Sequence, residues 1–118
     1  MTRNPKELWS EIETGLEAAS KLDGDNMQAF LNLNETALNP GALDAKTKRI
    51  ICAAIALSHN SEHCIAGRVR GAFEAGASRQ ELVEAAALSR LMAGSLVLGN
   101  SITLFLDSVS VFAPDYGK

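Results

Sequence analysis

The sequence predicts an all-α protein, a single bundle of about six antiparallel helices. Of its 118 residues, 47% are apolar and only 5% aromatic. Alanine and leucine dominate with few β-branched runs, which favours helix over strand. Apolar residues recur at helical spacing, no segment reads as a strand, and the connecting loops are short, so that successive helices should be antiparallel neighbours. The length allows one domain, residues 1–118, with one core.

The first helix is predicted to begin at Asn4-Pro5, with Asn4 as N-cap and Pro5 at the first helical position. Its apolar positions recur at helical spacing: Leu8, Ile12, Leu16 and Ala19. The run "DGDN", residues 23–26, predicts a turn. A short helix is expected over residues 27–38, ended by "NPG".

The third and fourth helices are expected to form an antiparallel hairpin. Asp44 caps the third helix, whose residues 50–57 are apolar on nearly every side, so that this helix should be central. "SHNS" ends it, and the fourth helix follows with Ser61 as N-cap and Gly76 in the usual C-terminal glycine position.

The fifth and last helices complete the bundle. Ser78 and Glu81 form an S-x-x-E capping box that begins the fifth helix. A last helix over residues 95–109 carries apolar residues around most of its circumference, whereas a surface helix of a small monomer should have a polar face. We therefore expect its outer side to be buried against another subunit, which predicts a homo-oligomer.

Composition excludes several functions. The net charge of −3 comes without a basic stripe, which argues against nucleic acid as a partner. Residues 91–106 are uncharged but fall short of the roughly 20 apolar residues of a membrane span. Residues 1–8 lack the layout of a signal peptide, and we expect a cytoplasmic protein with reduced cysteines. No Cys/His cluster has zinc-ligand spacing, so no metal is expected, and no sequence feature demands an organic cofactor.

Cys64 is the candidate for chemistry. If Ser61 is the N-cap, Cys64 lies in the first turn of the fourth helix, where free backbone N–H groups and the helix dipole favour a thiolate. Arg68 lies four residues on, on the same face, and its charge acts in the same direction. The alternative is that Cys64 packs inward while Arg68 reaches solvent. Cys52, inside an apolar run, is interpreted as a small buried hydrophobe.

Residues 39–95 resemble the core of the carboxymuconolactone decarboxylase family, which includes the alkyl hydroperoxidase D proteins. The shared features are "PGALD-KTK" before the central helix, "EHCI---VRGAFEAGAS" after a turn, and "RQELVEAAALSRLMAG" beyond it. The resemblance implies an all-helical, alkyl hydroperoxidase D-like fold that assembles as trimers or hexamers.

The active-site motif of this family is largely replaced. Redox members carry a glutamate on the central helix, then C-x-x-C, then a histidine four residues after the second cysteine. At these four positions the chain has Arg49, Ser61, Cys64 and Arg68. The dithiol–disulfide cycle with its Glu–His proton relay therefore cannot run here. The decarboxylase members lack the cysteine pair but keep the histidine, which Arg68 replaces.

Three functions are compatible with these residues. The first is a peroxidase-type activity in which Cys64 attacks a peroxide or another electrophile, Arg68 stabilises the thiolate, and His63 or His59 moves a proton. Since the motif has no resolving cysteine, this activity would need an external thiol reductant. The second is a decarboxylase or isomerase-type enzyme for a small acidic molecule, and the third is a non-catalytic oligomer that binds a ligand.

The candidate ligand-binding residues are Arg49, Ser61 and His59. Arg49 and Arg68 should approach each other across the helical hairpin, and two guanidiniums in a partly buried cleft are costly unless an anion lies between them. The anion could be an acidic ligand beside Cys64, since arginine matches carboxylate or phosphate. It could also be a glutamate of the chain itself: Glu62, Glu74 or Glu81.

Overall fold

The computed structural model describes residues 3–118, and in that range it confirms the all-helical fold: no strand is present. The long helices are α1 (Pro5–Leu22), α2 (Gly24–Leu38), α3 (Ala45–Ser58), α4 (Glu62–Glu74) and α5 (Arg79–Ala93). A 3-10 helix (Gly94–Leu96), two short helices, α6 (Leu98–Ile102) and α7 (Leu104–Phe112), and a second 3-10 helix (Ala113–Tyr116) follow.

The predicted helix starts are confirmed for α1, α3 and α5. The Asn4 side chain accepts a hydrogen bond from the first turn of α1 at 2.8 Å, and the Asp44 side chain accepts one from the first turn of α3 at 2.7 Å. The capping box of α5 is complete, because the Ser78 hydroxyl accepts from the Glu81 N–H at 3.1 Å while the Glu81 carboxylate accepts from the Ser78 N–H at 2.9 Å. Each side chain satisfies a backbone donor that the helix leaves free.

The predicted turn at residues 23–26 is wrong in its extent. Only Asp23 separates α1 from α2, which already begins at Gly24. The Asp23 carbonyl accepts from the Met27 N–H at 3.0 Å, and its carboxylate accepts from the Asn26 side chain at 2.9 Å. Residues that favour turns also favour helix N-termini, and here they start a helix.

The predicted single helix over residues 95–109 is also wrong. The chain breaks at Thr103, where φ is −118° and ψ is −90°, between α6 and α7. The Thr103 hydroxyl donates to the Gly99 carbonyl at 2.7 Å, and the Ser101 hydroxyl donates to the Leu98 carbonyl at 2.9 Å. Such side-chain bonds to the backbone compete with a regular helix.

The break divides the apolar residues that had predicted a subunit contact. Leu104 and Phe105 are fully buried, on α7, which packs against α4 and α1 of the same chain. Leu96, Leu98 and Ile102 stay exposed. The apolar residues of this segment thus lie in two environments, the core of the chain and its exposed surface. The homo-oligomer remains a prediction.

The core lies around the α3–α4 hairpin. α3 packs against α4 and α5, and α4 packs in addition against α1 and α7. Of the nineteen hydrophobic residues that are buried within residues 3–118, eight are alanines, which let the helix axes approach closely: Ala53, Ala56, Ala66, Ala72, Ala77, Ala85, Ala86 and Ala113. α4, with neighbours on most sides, is therefore more central than the predicted α3.

A group of large apolar side chains on α3, α5 and the segment after α5 remains exposed. We call it the outer apolar face; its members are Ile51, Ile55, Leu88, Leu91, Met92, Leu96, Leu98 and Ile102. Among residues 3–118, no helix combines the length and the apolar character that a membrane crossing requires.

Candidate functional site

A cavity of about 350 Å³ lies between the first four helices. Most of its wall is apolar and is contributed by α1 and α2: Trp9, Ile12, Leu16, Phe30, Leu31 and Leu38. Polar groups come mainly from α3 and α4: Arg49, His63, Cys64, Arg68 and Arg70, together with Asn34 of α2. An apolar wall with a few convergent polar groups is typical of a site for a small molecule.

Four of the six site residues proposed from the sequence line this cavity: Arg49, His63, Cys64 and Arg68. The other two, Ser61 and His59, lie in the α3–α4 connection and are not part of the wall. Ser61 holds the N-cap position of α4, but its side chain accepts no capping hydrogen bond. Cys64 is exposed and Cys52 is half-buried, so the two thiols differ in access.

The α3–α4 connection fixes where α4 begins and therefore where Cys64 lies. Asn60 adopts a left-handed conformation with φ of 52°, which asparagine tolerates better than most residues. Its side chain donates to the Leu96 carbonyl at 2.9 Å and accepts from the Asn100 side chain at 3.0 Å. These two bonds attach the corner to the segment that follows α5, which holds the first turn of α4 in place.

The three guanidiniums of the cavity wall differ in their partners. Arg70 pairs with Glu74 at 3.1 Å and lies over the Trp9 ring, 4.4 Å from its centre. Arg68 donates to the uncharged Asn34 side chain at 2.8 Å. Arg49 makes no hydrogen bond or ion pair with any residue in the range 3–118.

No glutamate of the described chain supplies the internal anion that the sequence allowed. Glu74 is bound to Arg70, and Glu81 binds Lys46 of α3 at 3.0 Å. Within residues 3–118, Glu62 forms no ion pair with Arg49 or Arg68. The positive charge that these two arginines bring to the cavity is thus not neutralised by a carboxylate of the wall.

His63 is oriented by a carboxylate at the edge of the cavity. Its Nε2 lies 2.7 Å from a carboxylate oxygen of Glu11, and Glu11 also pairs with Arg3. The hydrogen bond with His63 and then the one with Arg3 hold the pKa of Glu11 below its ordinary value of 4.5. A histidine held by a carboxylate has a fixed ring orientation, which suits it to move a proton.

Sequence reasoning missed the contribution of the first two helices. Trp9 and Asn34 are brought to the cavity only by tertiary packing, and nothing near them in the sequence marks them. Gly67 and Gly71 gave a signal that could have been used, because they lie one turn apart inside α4 and both line the cavity. Glycine costs about 1 kcal/mol relative to alanine inside a helix, so an interior pair indicates a close approach by another group.

Comparison with known proteins identifies the family of this fold. The model of the Carboxymuconolactone decarboxylase family matches residues 24–102. The chain therefore belongs to that family, and the resemblance found in the sequence is confirmed over a longer segment.

Solved structures agree with this assignment. A carboxymuconolactone decarboxylase family protein from Legionella pneumophila, in its apo form, is 27% identical with a TM-score of 0.81, over 97% of both chains. A Thermotoga maritima protein of the same family, for which a part in an antioxidative response has been suggested, is 22% identical with a TM-score of 0.74, over 92% of this chain and 95% of the other. The latter likeness shows the fold alone.

A curated relative from Paracoccus denitrificans, "Uncharacterized protein 4 in cox locus", is 40% identical over 57 residues. These residues make up 48% of this chain and 51% of the relative, so the chain spans about half the length of the relative it matches.

Proposed function

We propose that the protein binds a small molecule with one carboxylate and an apolar body in the cavity between α1, α2, α3 and α4. The observation that carries this proposal is Arg49, a permanently charged side chain that lines an apolar cavity without a partner in the described part of the chain. The guanidinium keeps its positive charge throughout the physiological range. An anion is the group that would stabilise it there.

The carboxylate is expected to bind Arg49 and Arg68 together. A carboxylate has two oxygens that accept several hydrogen bonds, and a guanidinium presents its donors in a planar fork. Arg68 keeps its full charge, because its partner Asn34 is neutral. Arg70 is already neutralised by Glu74 and therefore adds little to the attraction for an anion.

The rest of the ligand is expected to be apolar. Trp9, Ile12 and Leu16 form a continuous wall along α1, and Phe30 and Leu31 of α2 face the same space. The volume of about 350 Å³ is at the lower end of the range for small-molecule sites. A second charged group on the ligand would lie against this wall and lose its hydration without compensation.

Turnover of the bound acid, as a decarboxylation or an isomerisation, needs a group that moves a proton. His63 is the histidine of the cavity wall, and Glu11 fixes its ring at 2.7 Å. In this proposal Arg49 and Arg68 hold the substrate and His63 carries the proton. If no turnover occurs, the same contacts describe a ligand-binding member of the family.

The fluorescence of Trp9 tests the binding proposal directly, because Trp9 is the single tryptophan of the chain and lies in the cavity wall. Titration with butanoate, hexanoate, octanoate and decanoate should change its emission, with affinity rising with chain length. Arg49→Gln should weaken octanoate binding about 10-fold to 100-fold, since a hydrogen bond to a charged group contributes about 1.5–3 kcal/mol.

The matched control is Arg79→Gln, which removes a guanidinium on the surface that donates to the Lys118 carbonyl and is not part of the cavity. This variant should bind octanoate like the wild type. Octanamide has nearly the same shape as octanoate but no charge. If it binds as tightly as octanoate, or if no acid changes the emission, the proposal is wrong.

A second candidate is thiol chemistry at Cys64, and the observation that favours it is an exposed thiol in the cavity wall on the first turn of α4. The Cys64 thiolate would attack one oxygen of a hydroperoxide, and the O–O bond would break. The sulfur becomes a sulfenic acid, and the leaving alkoxide takes a proton and departs as the alcohol. One external thiol then forms a mixed disulfide and releases water, and a second restores Cys64 and leaves as the disulfide of the external thiol.

The peroxidase candidate is tested by following the loss of cumene hydroperoxide with dithiothreitol as the reductant. Cys64→Ser should abolish the protein-dependent rate, and Cys52→Ser should retain it, since Cys52 lies outside the cavity wall. Equal rates for the wild type and Cys64→Ser would contradict this candidate. That result would leave the binding of acids untouched.

A further inference from the structure

Two glycines of α4 face the cavity and are approached by different groups. A β-carbon added at Gly71 would lie 3.0 Å from Nη1 of Arg49, and beyond the neighbouring residues and backbone of α4 itself no other heavy atom would lie within 4 Å. A β-carbon added at Gly67 would lie 3.3 Å from Cζ3 of Trp9 and 3.4 Å from Cδ1 of Ile12. The charged group and the apolar wall thus each lie against a position without a side chain.

The backbone of α4 does not require glycine at either position. Both residues are inside a regular helix and neither has a positive φ, so alanine could adopt the same conformation and would favour the helix. At Gly71 the close approach of the Arg49 guanidinium from α3 is the contact that a side chain would disturb.

We propose that Gly71 is a specificity-determining residue of the cavity, which selects for a charged ligand by allowing Arg49 to lie against α4. The inference rests on the proposed binding of an organic acid and adds the residue that positions its cation. Gly71 acts through Arg49, and Gly67 has the corresponding effect on the apolar wall through Trp9.

The effect of a side chain at Gly71 should grow with its size. The β-carbon of alanine moves the guanidinium by a few tenths of an ångström, because Nη1 is the far end of a flexible side chain. Valine adds two methyl groups and moves it further. A hydrogen bond between arginine and a carboxylate depends on distance and direction, so each displacement weakens the bond to the ligand.

The test compares octanoate with octanamide by Trp9 fluorescence. Gly71→Ala should lower the preference for octanoate over octanamide about threefold, and Gly71→Val about tenfold, since part or all of a charged hydrogen bond is lost. Gly67→Ala should instead weaken both ligands to a similar extent and keep the preference. Gly71→Val combined with Arg49→Gln should lower the preference no further than Arg49→Gln alone, because both changes remove the same contact.

The possible outcomes separate this inference from the function on which it rests. If neither octanoate nor octanamide binds the wild type, the proposed function is wrong. If octanoate is preferred and both Gly71 variants keep that preference, the role of Gly71 is wrong. A crystal structure of unliganded Gly71→Ala tests the inference without a ligand, and helix propensity favours this substitution. An Arg49 guanidinium that keeps its wild-type position against α4 in that structure would also overturn the inference.

Discussion

Two sets of apolar side chains are accessible on the molecule, and they differ in the polar groups that lie beside them. In the cavity, aliphatic and aromatic residues of α1 and α2 surround arginines, a histidine and a cysteine from α3 and α4. The outer apolar face consists of large aliphatic side chains spread over several helices. A concave site with a few convergent polar groups suits a small molecule, whereas an exposed group of eight large aliphatic residues suits another protein surface.

The homo-oligomer stays a prediction, and the outer apolar face is where we expect it to form. Single exposed apolar residues are normal on protein surfaces, but contiguous ones mark interaction sites. On this basis we expect copies of the chain to meet through the outer apolar face and to leave the cavity to the ligand.

Phe105→Asp should abolish folding. Phe105 is fully buried in the core of the chain. An ionised carboxylate at such a position costs several kcal/mol, a large part of the total stability of about 5–15 kcal/mol. Circular dichroism should show the loss of helix. Leu22→Asp, at a residue that is 90% exposed, is the control and should fold normally.

Leu91→Glu should leave the chain folded but lower the mass of the assembly to that of one chain. Leu91 is 76% exposed on the outer apolar face, and a charge there would be buried on association without a partner. Light scattering after gel filtration at micromolar concentration measures the mass, with Leu22→Glu as the matched control. A wild type that is monomeric at this concentration would contradict the location and the homo-oligomer together.

The features of the helices that the sequence predicts are local, whereas the features that it does not predict depend on tertiary packing. Asn4, Asp44 and the pair Ser78–Glu81 cap helices through residues that are neighbours in sequence, so their roles follow from the sequence. The break at Thr103 could not be predicted, because an apolar helical pattern does not show which of its residues the same chain will bury.

The site divides in the same way. Arg49 and Arg68 could be placed together, because a short connection makes α3 and α4 antiparallel neighbours. Asn34 and Trp9 belong to helices that reach the cavity from elsewhere in the sequence, and no local pattern indicates that contact. What the sequence could not show is therefore the wall that the ligand would touch.

The free energy of unfolding should depend less on the N-cap of α4, which begins beside the cavity, than on the N-cap of α5, which carries part of the outer apolar face. Ser78 accepts a backbone hydrogen bond at the start of α5, and Ser78→Ala should lower the free energy of unfolding by about 1 kcal/mol. Ser61 accepts none at the start of α4, and Ser61→Ala should have a clearly smaller effect. Urea unfolding measures both. Equal losses would mean that the Ser61 hydroxyl caps α4 in solution.

The smallest expected effect is a dependence of stability on acidic pH, which arises from Glu11 at the edge of the cavity. The hydrogen bond with His63, and then that with Arg3, lower the pKa of Glu11 in the folded chain below its ordinary value of 4.5. The stabilisation is therefore fully present above the pKa of the unfolded chain and is lost as the pH falls through the folded value. Glu11→Gln should be less stable than the wild type at pH 7, and the difference should shrink as the pH falls below 4.5.

Unfolding by urea at a series of pH values measures this difference. Glu13→Gln, an exposed change in the same helix at a residue that forms no ion pair within residues 3–118, is the control. A stability difference for Glu11→Gln that is constant over the acid range would contradict the proposed linkage.

The eight buried alanines have a consequence for how this protein could be dissected by mutation. A scan that replaces each residue by alanine reports nothing at these positions, so it would describe the core only through its larger members and would miss where the helices touch most closely. Enlarging is the informative change: a residue such as valine or leucine in place of Ala53, Ala66 or Ala86 has no room, and overpacking costs about 1–3 kcal/mol. At these positions the sequence of the core is therefore limited by the largest side chain that fits between the helices.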